Sequence, residues 1–268
     1  MSTLSEIIQD HKEYKEQTFK MAKTDLVRTY RASALGWSWA IIKPIVTIFI
    51  YWFAMTIGLR GGKPIGDYPY FLWLIDALVP WFYINDMLHR GTECMRKYSY
   101  LITKIRYPVS TIPTFVSISN MAVNLILLFV VFTLHIVMGF PPTIYFLQIP
   151  LYIIFTFMFF TSWSLFAGPL AAISQDFANL VKSFVFALLW VSGIFYDVNG
   201  ISNKYLRYIL RLNPVTFICT GFRSSFMSES WFFEHPIRLA VFLTELFVMM
   251  RLALWSYNKL RKEIPDVL

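Results

Sequence analysis

The residue types that carry catalysis or metal binding are few in this chain and set far apart. His11, His89, His135 and His235 have none of the short spacings that let neighbouring side chains hold a metal, so each reads as structural. Cys94 and Cys219 fall in segments that the hydropathy pattern puts on opposite faces of a membrane, which rules out a disulfide within the chain. Asp76, Asp86 and Glu245 lie within or at the ends of long apolar stretches. An acid in that position is a working group or a buried structural one, and both readings stay open for Asp76 and Glu245, whereas Asp86 lies near enough to the end of its stretch to meet headgroup water. Lys43 and Arg251 either pair with such acids or extend their charged tips to the interface. No H-x-x-x-x-D or D-x-x-D pair gathers these groups on one face, as an intramembrane transferase would need. There is no G-x-x-x-x-G-K-[ST] loop; Gly61-Gly62-Lys63 comes nearest and lacks both the spacing and the hydroxyl. The chain therefore reads as a non-enzyme with no metal, cofactor or nucleotide site of its own.

Two other patterns offer more. The aromatic residues, among them Trp73, Trp81, Phe82 and Tyr83, exceed what two interfacial belts require. Rings can line a path for sugars or lipid tails, or simply pack helices together. With Asp76, those four are the candidate path residues. The second pattern is the basic loop from Met95 to Pro108. On a helical projection Leu101, Ile102 and Ile105 share an arc of roughly 100°, flanked by Lys97 and Lys104 on one edge and Arg106 on the other. With Tyr100, they form a ridge suited to docking a partner from the cytosol.

The elements that position these residues are set by composition. Of 268 residues, 57% are hydrophobic and only 15% charged, which excludes an ordinary soluble domain. The chain reads as one all-α polytopic membrane domain. Six windows are long and apolar enough to cross roughly 30 Å of hydrocarbon: Trp39 to Leu59, Tyr70 to Leu88, Pro113 to Met138, Tyr145 to Ile173, Leu180 to Tyr196 and Pro236 to Tyr257. The fourth contains Pro150 and Pro169 and is expected to tilt or kink. Residues 1–38 form a cytoplasmic segment, 39–257 the membrane domain and 258–268 a cytoplasmic tail. With both ends in the cytosol, fifteen Lys and Arg fall inside and six outside, as the positive-inside rule demands. The net charge of +8 is accounted for by topology and anionic lipid, with nucleic acid a poor second.

Before the first span, Phe19, Leu26, Val27, Tyr30 and Ala34 share one arc while Lys20, Thr24, Arg28 and Arg31 point away, the pattern of an interfacial amphipathic helix. Arg28, Tyr30, Arg31 and Lys43 would place cations where a lipid pyrophosphate enters, or attract ordinary anionic lipid. Between the fifth and sixth spans, two short apolar helices split at Asn213-Pro214 read as a re-entrant pair. They and Phe195 and Tyr196 are the candidate outer gate.

These residues resemble a family. Arg28 to Trp39 followed by Lys43-Pro44 is similar to the pre-membrane R-Y-x-x-S-x-L-G-x-x-W run of type-2 ABC exporter permeases for lipid-linked polysaccharides. Leu101 to Pro108 with Pro113 resembles their L-I-x-K-x-x-x-P-x-x-x-x-P element, and Gln175-Asp176, Ser192 to Tyr196, Asn213-Pro214 and Arg223 follow in family order. Gln175 departs from the arginine common there, so no arginine role carries over. Tyr70 to Trp73 and Val79 to Phe82 look most similar to teichoic acid translocation permeases, with O-antigen permeases close behind. The resemblance implies a homodimer of six-span subunits in a bacterial cytoplasmic membrane, with two separate ATPase subunits that carry the ATP and Mg. The loop at Lys97 to Arg106 is then the coupling helix, and the substrate an undecaprenyl-pyrophosphate-linked polymer.

Overall fold

The computed structural model of the chain describes residues 3–31, 35–60, 65, 68–105 and 107–267. Arg106 lies outside the described residues, as do Ala34 and Gly61-Gly62-Lys63. The fold is 83% helical with no strand among the described residues, as expected of the all-α class. Helices α1 (Thr3–Glu13) and α2 (Lys15–Arg31) precede α3 (Trp39–Phe53), which runs on through a π-helical segment, Ala54–Arg60. Helix α4 (Tyr70–Asp86) also ends in π-helical turns, Met87–Gly91. Two short helices, α5 (Cys94–Lys97) and α6 (Ser99–Thr103), lead into α7 (Ile112–Val137). Then come α8 (Ile149–Ile173), α9 (Gln175–Val191), α10 (Lys204–Arg211), α11 (Pro214–Phe226), α12 (Pro236–Leu260) and α13 (Ile264–Val267).

Helix α4 is the centre. Every residue from Leu72 to Trp81 is buried, because a helix that is apolar on all sides can be satisfied only with neighbours all round. Helices α3, α7 and α11 pack against it, and α8 joins α7, α11 and α12 behind them. Pro80 lies within α4, and the Asn124 amide of α7 donates to the Val79 carbonyl at 2.8 Å, tying α7 to α4. In contrast, α3 has only 11% of its apolar window buried, against 78% for α4, so it stands at the rim.

Four segments are long and apolar enough to cross a bilayer: Gly36–Gly58, Tyr70–Gly91, Val109–Val137 and Ile144–Ile173. Helices α9 and α12 fall short of that test. The first has 17 residues and carries Lys182; the second has 25 but includes Arg238, Glu245 and Arg251. The fifth window also shifts. Hydropathy places it at Leu180 to Tyr196, but the Ser174 hydroxyl caps the helix start by accepting from the Phe177 amide, and Gly193 at φ +65° follows its end. Pro150 does not kink the fourth window. It stands in the first turn of α8, after a 3-10 turn at Ile144–Gln148, where its missing N–H costs nothing.

The N-terminal region is two helices rather than one, and α2 turns an unexpected face inward. Thr18, Ala22 and Asp25 are buried against α7, while Phe19 of the predicted apolar arc is exposed. The loop after α4 is likewise broken at Tyr98 rather than forming a single helix. The split of α10 from α11 at Asn213-Pro214 falls where the proline predicts it. Both chain ends meet at one end of the bundle, where Arg261 pairs with Glu6 and α13 packs on α6 and α8.

Close approach of α11 to α8 depends on Gly221, where an added Cβ would overlap the Tyr152 ring, itself wedged among Phe155, Phe217 and Phe222. Gly221→Ala is expected to cost about 1–3 kcal/mol by overpacking, read as a lower melting temperature in detergent. Gly58→Ala, whose methyl meets nothing within 4 Å, should leave that temperature unchanged.

Candidate functional site

At the end of the bundle that carries α1 and α2, the loosely packed α3 leaves a cavity of about 520 Å³ against α4 and α7. Its wall combines a cation, Lys43, with the amides Asn85, Asn120 and Asn124, the rings of Tyr30, Trp39, Phe82 and Tyr83, and the side chains of Asp86 and Arg90. A second cavity of about 260 Å³ opens between α3 and α9, lined by Tyr51, Trp81, His89, Lys182 and Phe186. Lys43, Thr47, Phe82 and Asn85 border both. Lys43 is exposed and makes no ion pair among the described residues. An exposed cation among amides and flat rings suits a phosphorylated, hydroxyl-rich ligand.

The cavity floor is fixed by a buried carboxylate. Asp25 of α2 accepts from Arg90 Nη2 at 2.6 Å and from Lys97 Nζ at 2.9 Å, and the Tyr98 hydroxyl donates to it as well. Arg90 in turn donates to Asn120 of α7 and to Thr29 of α2. Burial alone would raise the Asp25 carboxyl, but the Arg90 charge, the hydrogen bond from Tyr98 and the Lys97 charge outweigh it and hold it below its ordinary 3.8. One side chain thus joins α2 to the end of α4, to α5 and, through Asn120, to α7.

The loop read as a docking ridge is anchored from several directions. Lys97 is spent on Asp25, Arg96 bonds Gln175 and the Ala172 carbonyl at the end of α8, and Glu93 pairs with Lys182 of α9 at 2.5 Å. Leu101 and Ile102 are buried within the chain, so these parts of the expected apolar arc serve the core and do not face outward. Tyr100 is half-buried and receives a hydrogen bond from Arg28 at 3.3 Å. Lys104 and Ile105 are exposed and remain as the outward edge; Arg106 lies outside the described residues.

At the opposite end, Arg223 of α11 is fully enclosed. Its guanidinium donates to the carbonyls of Trp73, Gly193 and Ile194 at 2.8 to 3.0 Å and lies 3.3 Å from the centre of the Trp73 ring. The turn after α9 is thereby tied to α4. Asn213 caps α11 through the Val215 amide and donates to Ser192, with Pro214 in the first turn. Phe195 is buried against Tyr51 and Trp190, and Tyr196 is half-buried. Asp76 lines neither of the cavities beside Lys43. It faces His135 of α7 at 3.4 Å, and His135 Nδ1 lies 3.1 Å from the Val131 carbonyl of its own helix.

Residues 16–227 match the family model described as ABC-2 type transporter. The chain belongs to the ABC-2 type transporter family. It is similar to the O-antigen export system permease protein RfbA of Myxococcus xanthus, 21% identical over 255 residues that cover 95% of this chain and 94% of that protein. It is also similar to a protein of the same name from Klebsiella pneumoniae, 24% identical over 249 residues, 91% of this chain and 92% of that one.

In this ABC-2 chain the structure brings Tyr30, Lys43, Phe82 and Tyr83 together at one cavity, and adds Trp81 at its neighbour. Arg28 and Arg31 are exposed on α2 outside that wall, and Trp73 belongs to the far end. Sequence reasoning missed Asp25, Arg90 and the three asparagines. The available signal was the narrow stripe of small and polar residues at Thr18, Ala22, Asp25 and Thr29, whose helical spacing marks a packing face.

Asp25→Asn is expected to destabilise the chain by about 3 kcal/mol, the low end for breaking a buried pair because Lys97 remains half in solvent. Because the folded carboxyl titrates below 3.8, its contribution is complete above that value and is lost as pH falls through the lower folded one. Melting followed from neutral to acidic pH should show an acid-side loss in the parent that is smaller in the variant.

Proposed function

We propose that this ABC-2 chain is the membrane subunit of an exporter that carries a lipid-linked polysaccharide across a bacterial cytoplasmic membrane, with O-antigen as the polymer class. The observation that carries this reading is the cavity at Lys43, where a free cation, amides and rings line a space beside the membrane-facing rim helix α3. A lipid-borne phosphate can approach Lys43 from the bilayer while sugars stack against Phe82 and Tyr83. The similar proteins named above are O-antigen export permeases, which favours that polymer over teichoic acid.

ABC-2 permeases work with ATPase subunits, and here two such subunits and a second copy of this chain complete the pump. In this arrangement α9 and α12 cross the bilayer with the four apolar segments, their charges turned to protein or water, and both chain ends lie in the cytosol. The ATPase pair bears on Tyr100, Lys104 and Ile105. Closure is transmitted from the loop through Lys97, Asp25 and Arg90 to the cavity wall, while Phe195, Tyr196 and the α10–α11 pair gate the other end.

Lys104→Glu combined with Tyr100→Ala should lower glycan export and substrate-stimulated ATP hydrolysis by tenfold or more while insertion stays normal. Export at the parental rate would sink the coupling role. Lys43→Gln should raise the lipid-linked glycan concentration needed for half-maximal ATPase stimulation, with Lys43→Arg restoring it. A stimulation curve unchanged in Lys43→Gln would remove Lys43 from the site, and stimulation by lipid-linked teichoic acid alone would overturn the choice of polymer.

A further inference from the structure

The end of the bundle remote from α1 and α2 holds a separate cavity of about 310 Å³ beneath the α10–α11 pair. Three arginines converge beside it on one asparagine. Arg211 Nη2 and Arg238 Nη2 both donate to Asn199 Oδ1, at 2.7 and 3.0 Å, and Arg207 Nη1 donates to the Asn199 carbonyl at 3.3 Å. An amide and a carbonyl oxygen carry only partial charge, so the three guanidinium groups are bonded there to neutral oxygens, and the arginines that line the cavity, Arg211, Arg223 and Arg238, outnumber its two carboxylates, Asp197 and Glu229. None of the three makes an ion pair among the described residues. Asp197 accepts from the Asn199 amide and Glu229 accepts from Ser224; Asp197 offsets part of the Arg238 charge but makes no ion pair with it. Arg211 Nε is buried with no hydrogen-bond partner. Like charges held this close cost energy unless an anion joins them, and the forked geometry of two guanidiniums matches the oxygens of a phosphate.

The position of the cavity narrows the source. Helix α10 exposes Tyr205, Tyr208, Ile209 and Leu212 on the side away from Arg207 and Arg211, the division expected of a helix lying at the level of lipid headgroups. Trp231 and His235 also line the cavity. Burial first, then the Arg238 charge, and the Arg211 charge against the opposing pull of Glu234, hold His235 below its ordinary range.

We propose that this cavity binds the phosphate of a net-anionic membrane lipid between Arg211 and Arg238, displacing the shared Asn199 amide. The same chemistry is carried by an anionic phospholipid and by a polyprenyl phosphate. The site needs only a bilayer around α10 and stands independently of the export reading. It is tested by titrating the purified full chain in neutral detergent with short-chain phosphatidylglycerol, phosphatidylcholine or polyprenyl monophosphate, with binding counted by native mass spectrometry. At least tenfold preference for an anionic lipid over phosphatidylcholine is expected, and its loss in Arg211→Gln/Arg238→Gln but not in Lys262→Gln. Preference for phosphatidylglycerol identifies a resident phospholipid, and preference for polyprenyl phosphate alone identifies a carrier lipid; either sustains the site. Equal affinity for all three lipids, or a preference that survives in the double variant, overturns it. Should that variant fail to fold, a photoactivatable phosphatidylglycerol on the parent chain decides: labelling around residues 229–238 supports the site, and labelling confined to other segments refutes it.

Discussion

A carboxylate buried beneath two cations organises one end of this protein. Asp25 carries a full charge out of water, and it is tolerable only because Arg90, Lys97 and Tyr98 come from a different stretch of chain to meet it. That requirement fixes α2 across the bundle, sets the end of α4 and halts the chain at α5. The cavity at Lys43 inherits its floor from this arrangement, since Arg90 and Asn120 belong to both. Neutral packing of the same volume would hold the helices together but would not specify this register, because apolar contacts are non-directional and a three-way charged bond is not.

The other end relies on a different device. Among the described residues Arg223 has no carboxylate partner within bonding distance, and it is satisfied by three backbone carbonyls and the face of Trp73, all contributed by segments remote in sequence. Carbonyls freed where α9 ends are thus paired inside the protein, as they must be wherever water is scarce. Between the two anchored ends, α4 is locked by packing on every side, while α3 has little of its surface covered. Space for a ligand therefore arises beside α3, at a boundary of the core that packing leaves loose.

Much of the architecture was legible from periodicity and composition. Long apolar windows named the helices, and Asn213-Pro214 named the break between α10 and α11 because proline cannot continue a helix through that point. Tyr30, Lys43, Phe82 and Tyr83 were recognisable as ring and cation types that suit a lipid-borne sugar. The docking ridge was only partly legible: a helical projection shows that Leu101, Ile102 and Ile105 share an arc, but not that the break at Tyr98 turns Leu101 and Ile102 into the core and leaves Ile105 outside.

The sequence by itself determined that this is a helical membrane chain with a basic end, since apolar run length and charge content answer to bilayer thickness and desolvation cost whatever the fold. Only the tertiary structure decided which charges are spent on each other. Lys97, Arg90 and Arg96 look alike in sequence to Lys43 and Lys104, yet the first three are paired within the chain and the last two make no ion pair among the described residues. Each of these bonds depends on distance in space between groups that are 65 to 79 positions apart along the chain, and no local pattern carries that distance.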